Sequence, residues 1–281
     1  MKEIQFKGKL AVITGAASGM GLYSSKEFVR LGAKVIMCDV NEQALAAAVA
    51  EIGESAIPVA GDVRDFEYAE AVAVVAQKHG GADYLIACAG CYEARCCNSL
   101  VPFYEQPKEV LDWGIDVNLK GPIYFARTLM PQMVAKKAGV IVMLGSVTGF
   151  EGDGVGAMYG TSKSGLFNFV KGLAMAGAPH GVRALCVTPG PVLSRAAMGN
   201  MPTLMGSCRR ARGTRRCDFI HVQRQCIIHY RYQPCRRRRT SLHVSENLLR
   251  HERNTYNTFS IPSPDLSCRS RRQSDSSTDD S

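Results

Sequence analysis

LAVITGAASGMG, residues 10–21, decides the fold, because an apolar run of strand length passes directly into a glycine-rich turn. A helical pattern follows the turn at residues 20–31. Glycines at such a junction allow a tight bend and the close approach of a phosphate group, whose charge then meets backbone N–H groups and the positive end of the helix. A glycine-rich turn is often only a loop, but its place between a strand and a helix favours this binding role. The predicted contacts are Gly15, Ser18, Gly19, Met20 and Gly21.

Short apolar runs alternate with longer alanine-rich segments on both sides of this turn. The runs are predicted as buried strands at residues 10–14, 34–39, 56–60, 83–87, 139–145 and 182–188. The longer segments are predicted as helices at residues 20–31, 41–52, 66–79, 107–137 and 158–178. This alternation predicts right-handed βαβ units and therefore an α/β fold, a doubly wound parallel sheet of Rossmann type. Ligands of such sheets bind beyond the carboxyl ends of the strands.

Charge and composition divide the chain near residue 205. The chain has 34 Lys and Arg, 25 Asp and Glu and a net charge of +9, and residues 1–205 hold 18 of each sign. The positive excess therefore lies in residues 206–281, which contain 16 Arg and no Lys. We predict a folded nucleotide-binding domain at residues 1–205 and an arginine-rich, disordered tail at residues 206–281.

The apolar and cysteine patterns predict the compartment. No apolar run reaches the roughly 18 residues that span a bilayer, and the first residues lack the pattern of a secretory signal. We therefore expect a cytoplasmic location and no membrane partner. In a reducing compartment the 11 cysteines are expected to be buried or free thiols rather than disulfides. The cysteines of residues 206–281 lack the close pairs of zinc modules, so no metal site is predicted.

Asp39 ends the second predicted strand, about 20 residues beyond the glycines, where a carboxylate can accept hydrogen bonds from both hydroxyls of an adenosine ribose. This position favours NAD over NADP, because Asp39 would repel a 2'-phosphate and neither Ser18 nor Val40 supplies a cation. The alternative is that Asp39 caps the helix that begins near Asn41, and the two roles are compatible.

Tyr159 and Lys163 lie four residues apart at the start of a predicted helix and therefore share one helix face. A free phenol has a pKa of about 10, and a cation within a few ångströms favours its phenolate. Tyr159 can then act as general acid or base on a carbonyl or an alcohol. Ser146 ends the fifth predicted strand, and its hydroxyl can polarise the same oxygen. A single Tyr and Lys at this spacing are more often surface residues, but together with Asp39 and the glycine turn they indicate a catalytic site.

Residues 6–193 resemble the short-chain dehydrogenase/reductase family, through the Thr-Gly-x-x-x-Gly-x-Gly turn at residues 14–21 and the Tyr-x-x-x-Lys pair at residues 159–163. The resemblance implies an NAD(H)-dependent oxidoreductase that acts on a small secondary alcohol or its ketone, as a homodimer or homotetramer. It implies that Asn118 holds a water in a proton relay to Lys163, and that Lys163 also binds the nicotinamide ribose. The other implied cofactor contacts are Asp62 and Val63 at the adenine, Cys88, Ala89 and Gly90 after the fourth strand, and Pro189, Gly190 and Val192 at the nicotinamide.

Cys88 departs from the family pattern, which has an asparagine at this place before Ala89 and Gly90. The asparagine normally steadies the central sheet, so we expect Cys88 to weaken the sheet locally without removing a catalytic group. A cysteine nucleophile is the alternative, but nothing in the sequence activates the thiol.

Residues 206–281 lack the substrate-lid helix, the following helix and the last strand that the resemblance implies. Back-translation of residues 218–240, read from the second base of each codon, permits TSYMCSDNASFITGTNLVVDGG, which resembles that last strand. We therefore favour a frameshift close to Gly206. One alternative is an inactive or poorly folded product, since a sheet without its last strand has an unpaired edge. The other is a natural basic tail that binds nucleic acid through residues 236–239; evolved basic tails usually mix Lys with Arg, so nucleic acid is not our expected partner.

Overall fold

Six parallel strands form the sheet that carries the candidate site. The computed structural model describes residues 5–190 and the backbone of residues 192–193 and 209–210. The strands are β1 (Leu10–Thr14), β2 (Lys34–Asp39), β3 (Ala56–Ala60), β4 (Tyr84–Ala87), β5 (Gly139–Leu144) and β6 (Val182–Val187). Their order is β3-β2-β1-β4-β5-β6. The chain therefore changes direction across the sheet between β1 and β4, which confirms the predicted doubly wound Rossmann-type fold and creates a crevice at their carboxyl ends.

Seven α-helices connect and cover the strands within residues 5–190. They are α1 (Gly19–Arg30), α2 (Glu42–Ile52), α3 (Phe66–Lys78), α4 (Glu93–Cys96), α5 (Lys108–Ile115), α6 (Gly121–Ala135) and α7 (Ala157–Gly177). Short 3₁₀ turns occur at Phe103–Glu105, Val147–Gly149 and Ala178–His180. Helices pack on both faces of the sheet, so both faces of the central strands are buried.

The single helix predicted at residues 107–137 is divided into α5 and α6 by a π-helical turn at Asp116–Lys120. In a regular α-helix the N–H of residue 122 would bond to the carbonyl of residue 118, but residue 122 is a proline and has no N–H. The N–H of Gly121 instead bonds to the carbonyl of Asp116, five residues back. The wider turn contains Asn118, one of the predicted site residues.

An aromatic cluster anchors the start of the described chain to one face of the sheet. Phe6 stacks on Phe28 of α1 with ring centroids 4.6 Å apart, and each of these rings forms a T-shaped pair with Tyr84 on β4. Phe6 and Phe28 are each 1% exposed. Full burial of one such side chain contributes about 1.5–3 kcal/mol.

Cys91 and Cys96 form a disulfide, so the expectation of free thiols is wrong for this pair, because the one turn of α4 brings the two residues together. Among the described cysteines, Cys38, Cys88, Cys97 and Cys186 are free.

Val192–Leu193 forms a strand, β7, parallel to β8 (Arg209–Arg210). The predictions for the rest of residues 206–281, the frameshift included, lie outside the described residues. No helix within the described part of the chain could cross a membrane.

Candidate active site

The glycine turn lies between β1 and α1, as predicted, and two of its glycines have no room for a side chain. Gly15 has φ +64°, and a Cβ on it would lie 2.9 Å from backbone atoms of Ala89. A Cβ on Gly21 would lie 2.1 Å from the carbonyl oxygen of Gly15. Ser18 precedes α1 in an extended conformation, and Gly19 has φ +57°. The positive end of α1 therefore opens directly onto the turn.

Asp39 lies beside this turn. Its Oδ2 accepts a hydrogen bond from the N–H of Ala17 at 2.9 Å, and its Oδ1 accepts one from the N–H of Asn41 at 3.0 Å. The suggestion that Asp39 caps the next helix is wrong, because Asn41 is the N-cap of α2 and accepts from the N–H of Ala44. Asn41 has the required side-chain oxygen and lies two positions closer to the helix.

Asp62 and Val63 follow β3, on the far side of β2 from β1. Burial would raise the pKa of the Asp62 carboxyl, but hydrogen bonds from the side chain and backbone of Arg64 lower it below its ordinary value. Val63 is buried against Gly121 at the start of α6. These contacts hold Asp62 and Val63 at the carboxyl end of the sheet.

Lys163 is buried below Tyr159 on α7. Its Nζ lies 5.3 Å from the centroid of the Tyr159 ring and donates a hydrogen bond to the carbonyl of Leu144 at 2.7 Å. The side chain is almost removed from solvent, with 3% of the residue exposed. Burial lowers the pKa of Lys163 to about 8, because an ammonium is poorly stabilised away from water.

Ser146 follows β5 and caps the 3₁₀ turn at Val147–Gly149. Its Oγ accepts hydrogen bonds from the N–H of Thr148 at 3.3 Å and from the Thr148 hydroxyl at 2.8 Å. Because both bonds use the oxygen as acceptor, the hydroxyl hydrogen of Ser146 can be donated to another oxygen.

Asn118 is fully buried in the π-helical turn between α5 and α6. Its Nδ2 donates to the carbonyls of Cys91 and Gly114, each at 2.9 Å. Its Oδ1 has no hydrogen-bond partner among the described residues. A Cβ on Gly90 would lie 2.6 Å from this Oδ1 and 3.4 Å from Nζ of Lys163, so the space beside Gly90 separates the two polar groups.

Cys88, Ala89 and Gly90 line the crevice after β4. Burial raises the pKa of the Cys88 thiol to about 12, and Lys163 lowers it by less. The thiol therefore stays protonated near neutrality, which argues against a cysteine nucleophile. The N–H of Ala89 donates to the Thr14 hydroxyl at 3.1 Å. This bond ties the segment to the end of β1.

The segment after β6 reaches the same edge of the sheet. The carbonyl of Pro189 accepts from the N–H of Val147 at 3.2 Å, which places Pro189 and Gly190 next to the turn that follows Ser146. Only the backbone of Val192 is described, in β7. Its predicted contact with the nicotinamide lies outside the described residues.

Glu93 and Tyr92 are site neighbours that sequence reasoning did not identify. The Glu93 carboxylate bonds to the N–H groups of Met158 and Tyr159, and the Tyr92 ring meets the edge of the Tyr159 ring. Glu93 lies 65 and 66 residues before its two partners. Residues 91–107 carry no periodic pattern, so the sequence offered no signal for this pairing.

The buried Lys163 predicts a pH-dependent stability. Below pH 8 Lys163 is protonated in the folded chain, which then bears the full cost of burying the ammonium. Between pH 8 and the ordinary pKa of 10.5 the unfolded chain binds more protons than the folded chain, so the free energy of unfolding rises with pH. The expected rise in the free energy of unfolding is about 3 kcal/mol. Lys163→Met lacks this contribution, so its stability relative to the parent should fall by that amount between pH 7 and pH 10.5 in urea unfolding experiments. A difference between the two proteins that does not change with pH would contradict the prediction.

Comparisons with known proteins give the relatives of this chain. The sequence model of a family described as short chain dehydrogenase matches residues 9–203. A 2-dehydro-3-deoxy-L-rhamnonate dehydrogenase (NAD(+)) of Sphingomonas sp. (strain SKA58) is 37% identical over 186 residues, which are 66% of this chain and 72% of that protein. Galactitol 2-dehydrogenase of Agrobacterium fabrum (strain C58 / ATCC 33970) is 30% identical over 191 residues, 67% of this chain and 72% of that protein. The crystal structure of NAD+-bound xylitol dehydrogenase superposes with a TM-score of 0.64 at 26% identity, and the match covers 69% of this chain and 74% of that one.

Proposed function

The chain belongs to the short-chain dehydrogenase family, and from this premise we propose that it interconverts a secondary alcohol and its ketone with NAD(H). The observation that carries the proposal is the meeting of Tyr159, Lys163 and Asn118 at the carboxyl end of the sheet, next to the glycine turn. We assign this activity to a domain at residues 1–205.

The residues present fit an NAD molecule. The cradle at Gly15 and Gly21 is closed to side chains, and the start of α1 supplies N–H groups for a pyrophosphate. The Asp39 carboxylate stands beside the turn, where it can accept the hydroxyls of an adenosine ribose and repel a 2'-phosphate. The residues that would hold NAD are those of the turn and Asp39, then Asp62, Val63, Cys88, Ala89, Gly90, Tyr159, Lys163, Pro189, Gly190 and Val192. When bound, NAD supplies the hydride acceptor for alcohol oxidation.

In the proposed mechanism the substrate oxygen lies between Ser146 and Tyr159. Ser146 donates its free hydroxyl hydrogen to that oxygen, and the Tyr159 phenolate takes the proton of the alcohol as general base. The Lys163 ammonium stabilises the phenolate from below. Asn118 directs its unpaired Oδ1 to a water that passes the proton on from Lys163. In ketone reduction the same groups act in reverse order.

A polyol or a sugar-derived hydroxy compound is the substrate class that we propose. One similar protein is named for galactitol, one for a deoxy-rhamnonate and one for xylitol. We further propose a homodimer or homotetramer; the cytoplasmic location stays a prediction.

The proposal is tested by NADH formation from NAD with galactitol, xylitol and other secondary alcohols. We expect at least one alcohol to be oxidised, with a kcat/KM for NAD about 100-fold above that for NADP, because the Asp39 charge rejects the phosphate. Asp39→Asn should narrow this preference for NAD roughly 10-fold, equivalent to about 1.4 kcal/mol, because it removes the charge that repels the 2'-phosphate. Glu42→Gln removes an exposed carboxylate on α2 and is the matched control. A preference for NADP in the parent protein would overturn the cofactor assignment.

A further inference from the structure

Glu93 is a buried carboxylate without a role in the mechanism above, although it bonds to the backbone of Tyr159. The residue begins α4 and is 1% exposed. Its Oε1 accepts from the N–H of Met158 at 3.0 Å, and its Oε2 accepts from the N–H of Tyr159 at 3.1 Å. A buried carboxylate is costly unless it is hydrogen-bonded, and both oxygens of Glu93 find their partners in the first turn of α7.

The first turn of α7 depends on this outside acceptor. The first N–H groups of any helix lack partners within the helix and favour a negative charge nearby. Gly156, the N-cap of α7, has no side chain to accept from them, and the first turn contains no acidic residue. Glu93 therefore accepts the hydrogen bonds that the side chain of an N-cap residue usually accepts, although it lies 65 residues before Met158.

The same segment contacts the site at two further points. The Tyr92 ring meets the Tyr159 ring edge to face, with centroids 6.0 Å apart, and the Tyr92 hydroxyl donates to Asp153. The carbonyl of Cys91 accepts from Nδ2 of Asn118. The segment between the disulfide partners Cys91 and Cys96 thus touches both Tyr159 and Asn118.

Glu93 reaches α7 because the helix between them has a glycine in its path. A Cβ on Gly114 of α5 would lie 3.1 Å from Cγ of Glu93 and 2.8 Å from Cβ of Met158. The carbonyl of this glycine also accepts from Asn118 and from Ser162. A side chain at position 114 would therefore push Glu93 away from the start of α7.

We propose that Glu93 is a positioning residue that fixes the phenol of Tyr159 for proton transfer, an inference that rests on the role proposed above for Tyr159. Proton transfer requires heavy atoms within about 2.6–3.2 Å of each other, and a misplacement of about 1 Å can cost 100-fold in rate. Two hydrogen bonds to the backbone of Met158 and Tyr159 hold the Cα from which the phenol extends. The contacts proposed for the pyrophosphate at the glycine turn and for the ribose at Asp39 do not involve Glu93, so we expect its substitution to lower kcat far more than NADH affinity.

Glu93→Gln in the full chain is the first test, because it keeps the shape of the side chain but removes one acceptor and the charge. We expect kcat for galactitol, or for the alcohol of the panel that the parent oxidises fastest, to fall roughly 10- to 100-fold. KM for NAD and NADH binding by fluorescence should stay within about 2-fold of the parent. Amide hydrogen exchange of the peptide that covers residues 157–162 should become faster in the cofactor-free protein. Glu109→Gln, which removes an exposed charge on α5, should change none of these quantities.

A double-mutant cycle separates positioning from a general structural role. In a Tyr159→Phe background, Glu93→Gln should cause no further loss of the residual rate, since no phenol remains to be positioned. Failure of the parent protein to oxidise any alcohol would overturn the proposed function, and a full rate in Tyr159→Phe alone would overturn the role proposed for Tyr159. A strongly impaired Tyr159→Phe together with an unimpaired kcat in Glu93→Gln would overturn only the inference on Glu93. If Glu93→Gln loses NADH binding, Glu93→Asp decides: a reduced kcat with intact NADH binding supports the proposal, and a parental kcat overturns it.

Discussion

Tyr159→Phe should reduce kcat for alcohol oxidation by about 10³-fold or more, while NADH binding stays within about 2-fold of the parent. General acid–base catalysis by one positioned side chain contributes about 10²–10⁴-fold, and phenylalanine keeps the ring that packs against Tyr92 but cannot exchange a proton. Lys163 should remain in place because its Nζ donates a hydrogen bond to the carbonyl of Leu144. The measurement is NADH formation at saturating alcohol and NAD.

Tyr104→Phe is the control for this prediction. Tyr104 is 82% exposed and lies in the 3₁₀ turn before α5, so loss of its hydroxyl should leave kcat unchanged. Equal rates for Tyr159→Phe and the parent would remove Tyr159 from the mechanism.

Gly21→Ala should weaken NADH binding by about 100-fold, equivalent to about 2.7 kcal/mol. The added Cβ would lie 2.1 Å from the carbonyl oxygen of Gly15 and 2.7 Å from its carbonyl carbon, both backbone atoms that a side-chain rotation cannot clear. Either α1 or the glycine turn must move, and both supply the proposed pyrophosphate contacts. Fluorescence titration with NADH gives the affinity, and thermal unfolding reports whether the fold survives.

Gly172→Ala provides a matched glycine substitution. Gly172 lies within α7, and a Cβ there would meet no heavy atom within 4 Å. Alanine is favoured over glycine in a helix by roughly 1 kcal/mol, so this variant should gain stability and keep its NADH affinity. Parental NADH affinity in Gly21→Ala would show that the close packing at Gly15 does not govern cofactor binding.

The periodic parts of the fold were predictable because burial dictates them. The bounds of β1, β2 and β3 agree with the apolar runs, and the repeated strand-helix-strand pattern predicted a doubly wound parallel sheet. The division of the helix at residues 107–137 was not predicted, because it depends on the missing N–H of Pro122 and on the hydrogen bonds that the Asn118 side chain then makes.

The candidate site was predictable where a local pattern marks a residue. The four-residue spacing of Tyr159 and Lys163 gave the shared face on which Nζ lies near the phenol ring. Glu93 has no such mark, because its partners lie in another part of the sequence and its burial depends on the glycine at position 114. The Cys91–Cys96 disulfide was missed for a different reason, since composition and compartment argued against it.

The frameshift close to Gly206 remains a sequence prediction. Nucleotide sequencing across the codons of residues 200–240 should reveal an inserted or deleted base relative to a frame that encodes the last strand of the family. A single intact frame without that alternative reading would remove the hypothesis.

The bond between Glu93 and the start of α7 limits how the substrate range can be redesigned. Residues 91–106 follow β4 and include α4, and they are the segment that an engineer would exchange first for the loop of a related enzyme. A graft that lacks a carboxylate at position 93 would leave the N–H groups of Met158 and Tyr159 without acceptors. Loop libraries for this scaffold should therefore vary residues 97–106 and retain Glu93 together with Gly114.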